Sequence, residues 1–459
     1  MTGSQAPSGA VTPKLPPPEA TSTPAFPPPE GPIHRALLPD TSAITADGHL
    51  SVGGVDLLLL AEEVGTPVFV YDEDHMRSRC REAAQGFEAG VAYATKAFLC
   101  KAMATLALEE KMALDVSTGG ELAVALAGGA TGERLVCHGN NKSSEELATA
   151  LSVGVGRIVV DSFDEIGRLR ALSTAGVTSA SASHRPRLLV RVTPGVEAHT
   201  HEYVKTGQED TKFGFSLASG AAAEAVDALR HLAGFELVGV HAHIGSQIFE
   251  VSAFAEEIAA LAPFVVENRF SECCIGGGLG VAYVEGEVAP SITDWARAVH
   301  SAARTVGLPS TVRVTAEPGR AVVASAAVTL YRVGTIKRLP GLRSYVAVDG
   351  GMSDNPRPVL YGSGYEAFLP RAPLATRPFA ARLVGKHCES GDVIVDDVRL
   401  PCDLAVGDVL ATPVTGAYGF AMSSNYNRVL RPPVVFVSGG RSRVVVRRET
   451  MADLLARET

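Results

Sequence analysis

A lysine just past a buried strand is a candidate Schiff-base amine, because desolvation disfavours the ammonium and leaves the nitrogen lone pair available to a carbonyl carbon. Lys96 occupies such a position. The apolar run at 91–95, Val-Ala-Tyr-Ala-Thr, reads as a short buried strand, and a helix-like segment at 102–111 follows. Most lysines at strand ends are merely solvated, so the surroundings decide. Other short apolar runs in this chain also end in groups able to do chemistry. Asp115 opens Asp-Val-Ser-Thr-Gly-Gly-Glu, His138 opens His-Gly-Asn-Asn-Lys, and His241-Ala-His243 leads to Ser246. Gly-Gly-Gly-Leu-Gly follows at 276–280, and Glu317-Pro-Gly-Arg320 closes the series.

Each motif has a bland reading beside the functional one. The glycine run can bring bare backbone N–H groups to a phosphate. It lacks the Gly-Lys-Ser/Thr ending of a nucleotide loop, and alone it is an ordinary tight turn. His241 and His243 lie two apart on a strand and share a face. A metal pair would need a third ligand, none stands at a telling spacing, and His199 and His201 fall in an expected loop, so no metal is expected. A flat imidazole stacked on a cofactor ring suits His243, with Ser246 placed to meet a phosphate. Glu317 either pairs with Arg320 or keeps a pyridine nitrogen protonated, so that the ring accepts electrons. Cys388 sits in His-Cys-Glu-Ser-Gly-Asp, a polar setting rather than that of a core cysteine. Tyr418, in Gly-Ala-Tyr-Gly, is likewise surrounded by small residues.

The elements that must position these groups repeat. Eight short apolar runs, at 91–95, 113–116, 135–138, 157–160, 188–192, 238–243, 273–276 and 312–316, alternate with segments of helical periodicity such as 145–151, 165–172, 221–232 and 295–306. That alternation predicts a (β/α)8 barrel. The polar motifs fall at the carboxyl ends of the strands, where such barrels place their active sites, and this coincidence strengthens the reading of Lys96 and of the glycine run as a phosphate cradle. After Arg320 the helical pattern stops. Runs rich in β-branched residues at 328–337, 345–348, 392–398 and 434–446 predict a separate β domain, the last of them a hairpin. Ahead of the barrel, Asp56 can cap a helix at 57–64 that Gly65 ends, and 67–71 is a further strand.

The resulting division is a proline-rich tail (1–32), an N-terminal segment that partly joins the β domain (33–65), a barrel (66–322) and a C-terminal β domain (323–459). The tail holds ten of the 28 prolines and is expected to be disordered. The 459 residues, 46% hydrophobic and 20% charged, suit a globular enzyme of two or three domains. A net charge of −9 without a basic block argues against nucleic acid, and no apolar run reaches membrane-spanning length. Seven scattered cysteines, without a secretory signal, suggest free thiols in the cytoplasm.

Taken in order, YATKA, DVSTGGEL, HGNNKS, KFG, HIGSQ, GGGLG, EPGR, DGGMSDNPRPVLYG, CESGD and GAYG resemble the motifs of the diaminopimelate decarboxylases. These belong to the fold type III pyridoxal-phosphate enzymes, with the ornithine and arginine decarboxylases. The match runs from about residue 45 to about residue 455; Thr193 stands where many members have Asn. The resemblance implies a homodimer with shared active sites and decarboxylation of meso-diaminopimelate to L-lysine. It makes Lys96 the lysine that holds pyridoxal 5'-phosphate, His243 the ring-stacking group and Glu317 the partner of the pyridine nitrogen. Ser246, Gly278 and Tyr418 become phosphate ligands with Gly277 nearby, and Asp115, Gly277, Gly319 and Arg320 further cofactor contacts. Arg320, Arg357, Tyr361 and Tyr418 would meet the substrate, the arginines at its distal carboxylate. Glu389 would take the distal ammonium and Cys388 would return the proton, both from the second subunit. Two alternatives stay open: a decarboxylase of another basic amino acid, or a non-catalytic regulatory homologue.

Overall fold

A computed structural model describes residues 31–177, 185–196 and 211–459. Most of the proline-rich tail, together with His199 and His201, lies outside the described residues.

All eight expected barrel strands form. They are Ala92–Ala94, Ala113–Val116, Leu135–Cys137, Arg157–Val160, Arg187–Thr193, Glu236–His241, Glu272–Cys274 and Arg313–Thr315. Each pairs in parallel with the next. The ring closes where the N–H groups of Ala92 and Ala94 donate to the carbonyls of Ala316 and Pro318, at 3.0 and 3.1 Å. The two-residue period of a strand sorts the side chains. Tyr93, Leu114, Ile158, Leu188, Val240 and Cys273 join the large core that the surrounding helices cover. The alternate residues fill the barrel in layers. A small apolar cluster of Ala92, Val136, Val159, Leu189, Val238 and Cys274 forms the middle layer. Charged groups lie on either side of it, Asp115, His138, Arg191, His241 and Glu317 at the carboxyl end and Arg157, Arg187, Glu272 and Arg313 at the other.

The helices start where short polar side chains stand. Thr118, Ser143, Ser162 and Ser291 each accept a backbone N–H in the first turn of Gly119–Ala127, Ser144–Ser152, Phe163–Thr174 and Ile292–Thr305. Such caps are worth about 1 kcal/mol each. Asp56 caps Leu57–Val64 through the N–H groups of Leu58 and Leu59, as its position predicts.

A second sheet carries Val393–Leu400, Phe379–Val384, Ser344–Val348, Ala327–Arg338, Val68–Asp72, Val434–Ser438 and Arg441–Val446 in that spatial order, with Val409–Pro413 also on Ala327–Arg338. A barrel boundary at residue 66 counts Val68–Asp72 with the barrel. Its hydrogen bonds place it in this second sheet instead, antiparallel to Ala327–Arg338 and parallel to Val434–Ser438. The strand is buried throughout and carries no alternation, so nothing local in it reveals partners more than 250 residues away. Short helices at Arg357–Tyr361 and Met451–Leu455 interrupt the β-rich half.

Candidate active site

The loops at the carboxyl ends of the barrel strands enclose a cavity of about 840 Å³. Lys96, Asp115, His243, Ser246, Gly277, Gly278, Glu317, Gly319, Arg320, Arg357, Tyr361 and Tyr418 all line it. Lys142, the other lysine expected after a barrel strand, does not. Its ammonium is buried, 2.9 Å from Glu165, and donates to the carbonyls of Gly139 and Val159.

Glu317 sits at the foot of the cavity, 7% exposed. It does not pair with Arg320. His138 Nε2 lies 2.9 Å from one carboxylate oxygen and His241 Nε2 lies 3.0 Å from the other. Burial alone would raise the Glu317 pKa, but the two imidazoles outweigh it and hold the carboxyl well below its usual range. Burial would lower His138, and Asp115 and Glu317 instead raise it, whereas burial takes His241 down to about 4. Asp115, 3.7 Å from His138, is pushed up to about 6, chiefly by burial. The pattern is an ionised Glu317 between a His138 drawn towards its charged form and a neutral His241. His138, His241 and Glu317 are also close enough for a metal site. Both Nε2 atoms, however, are aimed at the carboxylate oxygens at hydrogen-bond distance, which accounts for the cluster.

His243 follows the same strand as His241 but serves a different neighbour. Its Nδ1 accepts the Gly277 N–H at 3.2 Å, and burial, then Lys96, holds it well below the usual imidazole range. It is a neutral, flat group beside Lys96. The glycine run is jammed into place: a Cβ on Gly277 would lie 2.3 Å from the Glu317 carbonyl oxygen, and one on Gly278, at φ +121°, would lie 2.5 Å from that of Gly245. Only glycine lets this turn approach both the Ser246 loop and the Glu317 strand.

Arg320 donates to Ser246 Oγ at 2.9 Å and to Tyr283 Oη at 2.6 Å. Its Nε is buried without a hydrogen-bond partner among the described residues. A spare buried guanidinium donor beside a serine and a glycine turn suits an anionic group such as a phosphate. Arg357, 5% exposed, donates to Tyr365 Oη at 2.6 Å and lies over the Tyr283 ring at 4.1 Å. Tyr283 thus stands between two arginines, and Tyr283 and Tyr365 meet edge to face at 5.3 Å. Neither tyrosine stands out in the sequence, and nothing there marks His138 and His241 as the partners of Glu317. A buried tyrosine in sequence looks like core, and only the fold brings positions 138, 241 and 317 together.

Cys388 and Glu389 are the two predicted residues that the cavity does not contain. Both are exposed, on a loop of the β domain. That loop is firmly mounted. His387 is buried with Nδ1 2.8 Å from Asp392, the Cys388 N–H donates to Asn427, and Tyr426 stacks on His387 while its hydroxyl donates to Glu389.

Residues 73–324 match the family described as pyridoxal-dependent decarboxylase, pyridoxal binding domain. The diaminopimelate decarboxylase of Mycobacterium tuberculosis is 48% identical over 432 residues, covering 90% of this chain and 95% of its own length. That of Bacillus subtilis is 44% identical, covering 91% and 97%. The chain belongs to the diaminopimelate decarboxylase family. Among solved structures of this family, the diaminopimelate decarboxylase of M. jannaschii in complex with L-lysine is 31% identical, with a TM-score of 0.83 over 92% of this chain and 98% of that one. The (β/α)8 barrel followed by a β domain is therefore the family architecture, and its cofactor is pyridoxal 5'-phosphate. Among the described residues, no helix is long and apolar enough to cross a membrane.

Proposed function

We propose that this chain decarboxylates meso-2,6-diaminopimelate to L-lysine and CO2, with the roles assigned as follows. Lys96 would hold the cofactor through its side-chain amine. Ser246, Gly277, Gly278 and Tyr418 take its phosphate, with Arg320 behind Ser246. His243, kept neutral by burial, offers its flat face to the ring. Bound pyridoxal phosphate would supply the sink for the electron pair left on Cα when CO2 departs. The work of the chain is to keep that sink strong. Glu317, ionised against His138, holds a proton on the pyridine nitrogen, and Asp115 adds to the acidic surroundings of His138.

Substrate choice rests on the far end of the cavity. Diaminopimelate ends in a second amino-acid centre, so its pocket needs fixed positive charge. Arg320 and Arg357 provide it, held by Tyr283 and Tyr365, and Tyr361 adds a hydroxyl. This buried pair of arginines, in the same cavity as Lys96 and Glu317, carries the reading. It disfavours ornithine, whose distal end is an ammonium alone.

A proton must be returned to Cα, and among the described residues the cavity lining holds no thiol. Cys388 and Glu389, exposed on their rigid loop, are placed to complete the cavity of a second copy of the chain, with Cys388 as the acid and Glu389 as the ligand of the distal ammonium. A homodimer with shared sites follows, and seven free cysteines suit a cytoplasmic enzyme.

The test is product analysis. Purified protein should be yellow, borohydride should fix the cofactor to a peptide containing Lys96, and diaminopimelate should yield L-lysine and CO2 in equal amounts. Lys96→Ala should lose colour, labelling and activity together. Labelling retained in that variant would overturn the assignment of Lys96.

A further inference from the structure

The end of the barrel opposite the active site holds a second cavity, of about 410 Å³. Its floor is the apolar middle layer of the barrel. Its walls carry five cationic side chains, Lys111, Arg134, Arg157, Arg187 and Arg313, against two carboxylates, the exposed Glu133 and, at the inner end, Glu317, which also lines the active-site cavity. This excess does not come from composition, since the chain as a whole carries −9.

Three of these arginines converge on Glu272, whose side chain is 6% exposed. Arg157 grips it with two bonds of 2.7 and 2.8 Å, Arg313 donates to it directly, and Arg187 stands 3.7 Å away. Three guanidiniums from three barrel strands therefore share one carboxylate. Burial would raise Glu272, yet Arg157 and Arg313 hold it below its ordinary range. Arg187 is lowered, first by burial and next by Arg157. Glu133, Glu317 and Glu272 together leave the five cations in excess. Arg134 is bonded to the neutral carbonyl of Met112 at 2.7 Å, and Glu236, in register with Arg187, is exposed at the start of its strand.

Like charges brought this close, half out of water, repel unless a counter-charge sits among them. Planar guanidiniums on several strands also match the geometry of a tetrahedral oxyanion. We propose that this cavity binds a phosphate group, carried by inorganic phosphate or by a small phosphate monoester, at a site separate from that of the cofactor. The apolar middle layer lies between the two cavities, and Glu317 is the residue that lines both.

The experiment uses the holoenzyme, so that the cofactor's own phosphate site is occupied. Inorganic phosphate and glycerol 3-phosphate are titrated calorimetrically at fixed ionic strength. One saturable site per chain is expected, with the cofactor spectrum unchanged. Stronger binding of the monoester identifies that source, and equal binding identifies free phosphate; either supports the site. Arg187→Gln should weaken binding by about tenfold or more, the loss of a charge-assisted hydrogen bond. Should that variant fold poorly, Lys111→Gln, exposed and outside the Glu272 cluster, decides by the same criterion. No saturable binding, or unchanged affinity in both variants, would leave the arginines as a structural plug and overturn the proposal.

Discussion

Replacing Glu317 by Gln tests how the chain drives decarboxylation, because it removes a charge and little else. The carboxylate accepts from His138 at 2.9 Å and from His241 at 3.0 Å. An amide has one oxygen to accept and one nitrogen to donate. His241 can adapt by moving its proton to Nδ1, which is buried without a partner among the described residues. The fold and the cofactor site should therefore survive. What is lost is the anion that keeps the pyridine nitrogen protonated. Two unit charges about 3 Å apart interact by roughly 5 kcal/mol at an effective dielectric of about 20. Asp115 and Glu317 draw His138 towards its charged form, which offsets part of that charge, so about half, roughly 3 kcal/mol, is assigned to the reaction. That corresponds to a fall in kcat of about 10²-fold. CO2 release at saturating diaminopimelate measures it, and the visible spectrum checks that cofactor remains bound. Activity within about fivefold of the parent, with cofactor bound, would refute the reasoning.

Arg357→Ala should lower kcat/KM for diaminopimelate by more than about tenfold while leaving the cofactor spectrum intact, since a lost charge-assisted hydrogen bond costs roughly 1.5–3 kcal/mol; kinetics on the purified variant check this. His241 should make the fold acid-sensitive. Its pKa falls from about 6.5 unfolded to about 4 folded, so its contribution is complete above about pH 6.5 and is lost as pH falls towards 4, by roughly 3 kcal/mol in all. The difference in urea midpoint between the parent and His241→Gln should shrink over that interval, and a pH-independent difference would contradict it. Lys96→Ala and Cys388→Ala should complement each other when mixed and refolded, because each mixed dimer holds one site with neither lesion. No recovery where subunits demonstrably exchange would argue for a site built within one chain.

The barrel was legible because each strand is a short apolar run and six of the eight end in a polar motif. Lys96, Asp115, His243 and Glu317 line one cavity for that reason. The β-branched runs after Arg320 form the second sheet in the same way. What stayed hidden depends on contacts between distant positions. Val68–Asp72 reads as a strand, but its partners at Ala327–Arg338 and Val434–Ser438 cannot be inferred from its own residues. Tyr283 and Tyr365 are hydrophobic in sequence and become polar supports only when Arg320 and Arg357 reach their hydroxyls. The cluster around Glu272 draws one residue from each of four strands, where a lone arginine at a strand start reads as solvated. Cys388 and Glu389 carry a clear motif, yet one chain does not bring them to the cavity.

The most direct measurement incubates the purified protein with meso-diaminopimelate, ornithine and arginine separately and compares kcat/KM for CO2 release. Two buried arginines at the far end of the cavity predict strong preference for diaminopimelate, with L-lysine as the product. Equal turnover of ornithine would contradict the role of Arg320 and Arg357 while leaving the decarboxylase fold in place.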